Sequence, residues 1–231
     1  MSTLYMVATP IGNLEDITLR AISTLKQADV IACEDTRRTG RLLSRYEIKA
    51  RVIACHAKNE MNSAKGIIGL LQEGKSVAYV SDAGTPGISD PGSRLAGEVR
   101  KAGFPVIPIP GASALTALLS VCSYIGGNVV FAGFLSPKAG RRKRRINELL
   151  AREEGFVIYE SPFRVVKTLK DIADAAPERL VMVGREMTKV HEEFVEKTAQ
   201  EAYKEFSSRE SQKGEFVIFV SPVEGKRCDD H

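Results

Sequence analysis

The sequence is poor in the residues that build metal centres and disulfide frameworks. Its four cysteines, Cys33, Cys55, Cys122 and Cys228, are scattered with no CxxC pair, and its three histidines, His56, His191 and His231, are as dispersed. No metal is expected, and buried free thiols in a reducing cytoplasm are. No run approaches the roughly 18 apolar residues of a membrane helix. The start, Met1-Ser2-Thr3-Leu4-Tyr5-Met6-Val7, carries neither a basic region nor a long apolar one, so no signal peptide and a cytoplasmic protein are expected. There is no GxGxxG fingerprint, and no Gly-Lys-Ser/Thr that would complete a phosphate-binding P-loop. Internal repeats and low-complexity segments are missing too. What remains is an ordinary globular composition, 43% hydrophobic and 27% charged over 231 residues, which suits one large domain or two small ones.

Apolar, β-branched runs alternate with amphipathic stretches. Strands are expected at 4–8, 30–33, 52–55, 76–81 and 106–109, with helices at 15–27, 36–46, 59–73, 92–102 and 112–121 between them. Near-continuous apolar strands separated by helices predict an α/β fold with a parallel sheet. After Tyr124-Ile125-Gly126-Gly127-Asn128 the pattern restarts. Strands are expected at 129–134, 155–159, 179–184, 191–197 and 215–220, and helices at 139–152, 163–175 and 199–208. The short connection between 184 and 191 predicts antiparallel pairing and a mixed sheet in this half. The expected organisation is an α/β domain over 1–121, a hinge at 122–128, a second α/β domain over 129–223 and a charged tail at 224–231.

The stretch Ser81-Asp82-Ala83-Gly84-Thr85-Pro86-Gly87-Ile88-Ser89-Asp90-Pro91-Gly92 holds three Gly, two Pro and two Asp directly behind a strand. Ligands of α/β proteins sit outside the carboxyl ends of strands, and Gly84 permits close backbone approach there. Asp82 is placed to accept hydrogen bonds from a ligand. Asp90 and Pro91 also read as a plain helix cap and first position. Four other loops close strands in the same way. One is Ala8-Thr9-Pro10-Ile11-Gly12-Asn13-Leu14; another is Cys33-Glu34-Asp35-Thr36-Arg37-Arg38-Thr39. The others are Cys55-His56-Ala57-Lys58-Asn59-Glu60 and Pro108-Ile109-Pro110-Gly111-Ala112-Ser113-Ala114. In the last, first-turn amides and the Ser113 hydroxyl are expected to face a ligand.

A net charge of +4 does not identify a polyanion partner, but its distribution is uneven. Lys138 and Arg141-Arg142-Lys143-Arg144-Arg145 put six cations in eight residues, and Arg37, Arg38, Arg41 and Arg45 add more. Such clusters suit a phosphate backbone, and they also occur as solvated helix faces. Gly184-Arg185-Glu186-Met187-Thr188-Lys189-Val190-His191-Glu192-Glu193 is dense in ionisable groups.

Taken in order, these motifs resemble those of the small-subunit ribosomal RNA 2′-O-ribose methyltransferases of the methyltransferase I type, within the tetrapyrrole methylase superfamily. The resemblance rests on the Pro10, Glu34-Asp35-Thr36-Arg37, Asp82 and Pro108-to-Ala114 loops, and on Gly133-Phe134-Leu135 with the basic run. Glu160-Ser161-Pro162 and Gly184-Arg185-Glu186-Met187-Thr188-Lys189 complete it. It implies two α/β domains with S-adenosylmethionine in the cleft between them, and a homodimer. Pro10, Asp82, Gly84, Thr85, Ile88, Ser113 and Ala114 would line the cofactor site from the first half, and Tyr159, Arg185 and Gly214 from the second. The implied substrate is a cytidine in the decoding region of 16S rRNA of the small ribosomal subunit. Lys189, with a depressed pKa, and Glu186 are the expected catalytic bases. Arg37, Arg38, His56, Lys58, Asn59, Lys138, Arg141, Arg142, Arg144 and Arg145 would hold the RNA. Two departures stand out. Lys58 replaces a second histidine, and Ser136 separates Leu135 from Pro137. The rival readings are a precorrin or uroporphyrinogen C-methyltransferase and a non-catalytic rRNA-binding assembly factor.

Overall fold

The computed structural model describes residues 2–55 and 60–223. The chain divides into two compact units, one ending at Ser113 and the other starting at Ala114. In the first unit five strands run parallel in the order β3-β2-β4-β1-β5. They are β1 (Leu4–Val7), β2 (Val30–Cys33), β3 (Arg51–Ala54), β4 (Val77–Val80) and β5 (Val106–Ile109). Every residue of β2 and β4 is buried, as a sheet covered on both faces requires. The edge strands β3 and β5 are more exposed. Pro108, which has no N–H to give a neighbour, sits in edge strand β5.

The helices of this unit are α1 (Leu19–Gln27), α2 (Thr36–Arg45), α3 (Glu60–Gln72) and α4 (Ser93–Lys101). Helices α1 and α2 pack into one apolar cluster, and α3 and α4 into a second, with alternate strand residues going to each. One holds Leu25, Ile31, Leu42 and Leu43; the other holds Leu4, Ile67, Leu71, Tyr79 and Leu95. The helix expected at 15–27 is divided. A 3-10 turn at Leu14–Asp16 comes first, and the Thr18 hydroxyl then caps α1 by accepting from the Ala21 amide. The cap expected at Asp90-Pro91 is also displaced. Gly92, at φ +129°, precedes α4, because the chain first closes a turn in which the Gly87 amide donates to the Pro91 carbonyl at 3.2 Å.

The second unit opens with α5 (Ala114–Leu119), which packs on β10 (Phe216–Val220). This places the division ahead of the expected hinge at 122–128. Its sheet runs β6-β7-β10-β8-β9, with β6 (Val129–Phe134), β7 (Gly155–Glu160), β8 (Leu180–Arg185) and β9 (Glu193–Thr198). The β6–β7 pair is parallel and the other three pairs are antiparallel, the mixed sheet expected of this half. Helices α6 (Ala139–Leu150), α7 (Val165–Ala175) and α8 (Ala199–Ser208) cover it. A capping box of Thr198 and Glu201 starts α8.

The basic run is the start of α6, and it is not all surface. Arg142, Ile146 and Leu149 recur at helical spacing and form the buried stripe. Arg142 Nε lies 2.7 Å from Asp171 Oδ2 of α7, both side chains being 5% exposed. Arg142 is therefore a brace between two helices and leaves the set of phosphate-binding residues. Removing one partner of such a pair strands a buried charge. Arg142→Met should lower the unfolding free energy by about 3 kcal/mol. Arg142→Met combined with Asp171→Leu should recover most of that loss, as read from urea denaturation.

Candidate active site

The loops that follow β1, β2, β4 and β5 meet at the carboxyl edge of the first sheet and are tied to one another. Thr9 and Gly84 exchange two backbone hydrogen bonds, at 2.9 and 3.0 Å, which extends the β1–β4 pairing past the strands. The Thr9 hydroxyl donates to the Ser81 carbonyl at 3.2 Å, and the Ser81 hydroxyl donates to the Gly84 carbonyl at 3.2 Å. The Thr85 hydroxyl reaches the Ala112 carbonyl in the loop after β5, at 3.2 Å. Gly84 takes φ +76°, and a Cβ there would lie 3.4 Å from the Ile11 side chain. Gly111 has a different reason: a Cβ on it would come within 3.0 Å of that of Ala8.

Asp82 joins a third loop to this edge. Its Oδ1 accepts from the Asp35 amide at 3.0 Å, and Arg38 lies 3.6 Å from Oδ2. Asp35 in turn caps α2 by accepting from the Arg37 amide at 2.8 Å. Hydrogen bonds from Arg37 hold the Asp35 carboxyl below its ordinary value. Asp82 keeps 26% of its side chain exposed, so a ligand can still reach it. Beside it lies a pocket of about 60 Å³ lined by Thr9, Pro10, Arg38, Ser81 and Asp82, among others. That volume suits a small polar group and is far below the several hundred Å³ of a whole drug-sized ligand. A larger ligand would lie on the open edge, with Gly84, Thr85 and the exposed Ile88. The Glu34-Asp35-Thr36-Arg37 motif therefore acts partly through Asp35, which links a helix cap to Asp82. Thr9 and Ser81 tie the edge through hydroxyls, and the Thr9 bond reaches 72 residues along the chain, which no local pattern reveals. His56, Lys58 and Asn59 lie outside the described residues.

In the second unit the motifs resolve into two braces. Glu160 is buried and fully engaged. Its carboxylate accepts from the Ser161 amide at 2.8 Å and the Thr168 hydroxyl at 2.7 Å, and pairs with Arg164 at 2.7 Å. Arg164 also donates to the Leu135 carbonyl at 3.0 Å, which joins the turns after β6 and β7. Tyr159 accepts from the Leu115 amide of α5 at 3.1 Å, so that first-turn amide is already used.

The other brace is the turn between β8 and β9. Arg185 donates to the Lys213 carbonyl at 2.7 Å and pairs with Glu193 at 3.3 Å. Glu186 and Thr188 hold left-handed backbone, at φ +48° and +65°. Glu186 Oε1 accepts from the Glu215 amide at 2.9 Å and from Lys189 Nζ at 2.8 Å, and Lys189 also reaches Glu215 Oε2 at 2.9 Å. Burial works against the Lys189 charge, but its bonds to Glu186 and Glu215 outweigh that and hold its pKa above the ordinary value. The depressed pKa expected of Lys189 is thus replaced by an elevated one. Burial likewise works to raise the Glu186 carboxyl, and bonds from Lys189 and the Glu215 amide hold it low.

Of the basic run, Lys138, Arg141 and Arg144 are exposed. Arg145 is half-buried and pairs with Glu148 at 3.2 Å. Among the described residues no group of three His, Cys, Asp or Glu is placed to hold a metal. Among them also no helix is long and apolar enough to cross a membrane.

A family profile described as Tetrapyrrole (Corrin/Porphyrin) Methylases matches residues 3–203. A Neisseria meningitidis serogroup B protein named ribosomal RNA small subunit methyltransferase I is 45% identical, over 97% of this chain and 78% of its own length. The Thermotoga maritima protein of the same name is 43% identical, over 97% of this chain and 100% of its own. The chain belongs to the tetrapyrrole methylase family. It is a methyltransferase, which implies a methyl donor. Among solved structures, a methyltransferase called CobJ superimposes with a TM-score of 0.74 at 17% identity, over 98% of this chain and 97% of that one. A cobalt precorrin-4 methyltransferase gives 0.70 at 17%, over 95% and 94%. These two show the shared fold.

Two measurements probe the β8–β9 brace. Gly214 takes φ +97°, and a Cβ there would lie 2.3 Å from Glu186 Cγ. Gly214→Ala should destabilise the chain by about 2 kcal/mol, and part of that cost should vanish in a Glu186→Ala background, read by urea denaturation. Lys189→Met should cost stability only within a pH window. The low carboxyl and high ammonium contribute from above the ordinary 4.5 of Glu186 to below the ordinary 10.5 of Lys189. The difference from wild type should shrink as pH falls through the folded value of Glu186, and again as it rises through that of Lys189.

Proposed function

We propose that the chain transfers a methyl group from S-adenosylmethionine to the ribose 2′-hydroxyl of a cytidine in the decoding region of 16S rRNA, in the small ribosomal subunit. The observation that carries this reading is the identity of 43% to 47% to proteins named ribosomal RNA small subunit methyltransferase I, over nearly the whole chain. The precorrin enzymes share the fold at 17% identity, which carries no argument for a macrocycle substrate. The exposed Lys138, Arg141 and Arg144, with Arg37 and Arg38, support a phosphate-rich substrate. His56, Lys58, Asn59 and Arg145 complete the proposed RNA set. A cytoplasmic homodimer is part of the same reading.

The residues proposed to hold the cofactor are Pro10, Asp82, Gly84, Thr85, Ile88 and Ser113, with Ala114, Tyr159, Arg185 and Gly214 from the second unit. The chemistry at the first sheet fits such a group. A part-exposed carboxylate, close backbone approach at Gly84 and an apolar Ile88 match a ligand with hydroxyls, an amine and an aromatic base. S-adenosylmethionine supplies a methyl on a sulfonium, which is already a strong electrophile. The chain's own contribution is then chiefly to hold the 2′-oxygen in line and exclude water. Lys189 and Glu186 serve this best as positioning residues. An ammonium flanked by two carboxylates is a poor proton acceptor, and a carboxylate with a lowered pKa is a weak base.

The test is tritiated methyl transfer from S-adenosylmethionine to 30S subunits from a strain lacking this protein, followed by nucleoside digestion. Label in 2′-O-methylcytidine or a dimethylated cytidine is expected. Cofactor binding without label in subunits or naked 16S rRNA would turn the assignment towards precorrins, and rRNA binding without cofactor binding towards an assembly factor. In the same assay Lys189→Arg, which keeps both ion pairs but cannot act as a base, should retain most of the transfer. Lys189→Ala should lose about tenfold or more. Loss of all transfer in Lys189→Arg would restore Lys189 as the base.

A further inference from the structure

Two phenylalanines stand in solvent at one edge of the second unit's sheet. Phe134, the last residue of β6, is 56% exposed, and Phe163, in the turn between β7 and α7, is 87% exposed. Strands β6 and β7 are parallel neighbours, with Phe134 in register with Tyr159, so both rings lie past the carboxyl ends of adjacent strands. Neither turn is loose. The Phe134 ring meets Tyr159 edge-on at 5.7 Å and 73°. Phe163 is set by Pro162 and by the Arg164 and Val165 amides, which both donate to the Ser161 carbonyl. Arg164 then fixes one turn to the other through its bond to the Leu135 carbonyl.

A lone exposed apolar side chain needs no explanation. Two rings on braced turns beside a basic cluster are a different matter. The stretch from Phe134 to Asn147 contains no Asp or Glu, and it carries six cations, of which Arg142 is internal. Exposed Lys138 and Arg141 lie a short way after Phe134 in the chain, at the cap and in the first turn of α6. Aromatic rings next to a track of cations are the means by which proteins hold single-stranded nucleic acid, with bases on the rings and phosphates on the cations. A protein partner of matching shape would instead need acidic groups opposite these arginines.

We propose that Phe134 and Phe163 are stacking platforms for unpaired bases flanking the target nucleotide, with Lys138 and Arg141 holding the intervening phosphates; this rests on the rRNA reading above. The side chains act by their flat faces, so Tyr should replace Phe and Leu should not. In methyl transfer to 30S subunits, Phe134→Leu and Phe163→Leu should each lower kcat/KM about tenfold, while Phe134→Tyr and Phe163→Tyr stay near wild type and cofactor binding is unchanged in all four. A second readout uses the absence of tryptophan from the sequence. In Phe163→Trp the only indole emission should be quenched saturably by a cytidine-rich oligoribonucleotide, and not by an abasic chain of equal length. Equal activity of the Leu and Tyr variants would overturn the proposal, as would an indole unmoved by an oligonucleotide whose anisotropy shows it bound. Dissociation of a dimer in the Leu variants, seen by light scattering, would assign the rings to a second copy of the chain instead. A wild-type chain that neither binds nor methylates RNA would remove the rRNA reading and this one together.

Discussion

The exchange of two hydrogen bonds between Thr9 and Gly84 is the constraint on which the first unit's edge depends. Strand β1 lies between β4 and β5, and the bridge carries the β1–β4 pairing on into their loops. From that fixed pair the other contacts follow. Ser81 is bonded to Gly84, Thr85 reaches the loop after β5, and Asp82 reaches the cap of α2. Four loops that start on four strands therefore behave as one piece. Gly84 makes this possible because its φ of +76° is open to glycine at little cost.

The second unit relies on buried charge. Glu160 collects donors from a backbone amide, a threonine and an arginine, and Arg142 meets Asp171 between helices. Buried ions of this kind are stable only when fully paired, and each ties together elements distant in sequence. The third cluster, at Glu186, Lys189 and Glu215, is less buried and holds a turn whose backbone is strained at two residues. Its closed geometry explains why Lys189 carries an elevated pKa.

Most strands could be read from the sequence because they are runs of apolar residues, at the sheet edges as well as in the doubly covered β2 and β4. Val30–Cys33, Val106–Ile109 and Val129–Phe134 fall where hydrophobicity places them. The loops at Pro10, Asp82 and Ser113 were legible as Gly- and Pro-rich breaks behind strands. What was not legible depended on partners far along the chain. Arg142 reads as one cation in a row, and only the spacing with Ile146 and Leu149 hints that it turns inward to Asp171. Lys189 reads as a candidate base until Glu186 and Glu215 are seen beside it. Asp90-Pro91 has the residue types of a cap, but tertiary closure at Gly87 moves the helix start to Ser93.

We propose that the joined loops of the first sheet carry the methyl donor. Calorimetric titration of S-adenosylmethionine into the wild-type chain and into Gly84→Val tests it most directly, with circular dichroism as the check on folding. A branched side chain at φ +76° beside Ile11 must displace the loop. The account predicts saturable heat for the wild type and none for a folded Gly84→Val. Equal binding by both would contradict it and move the donor away from this edge.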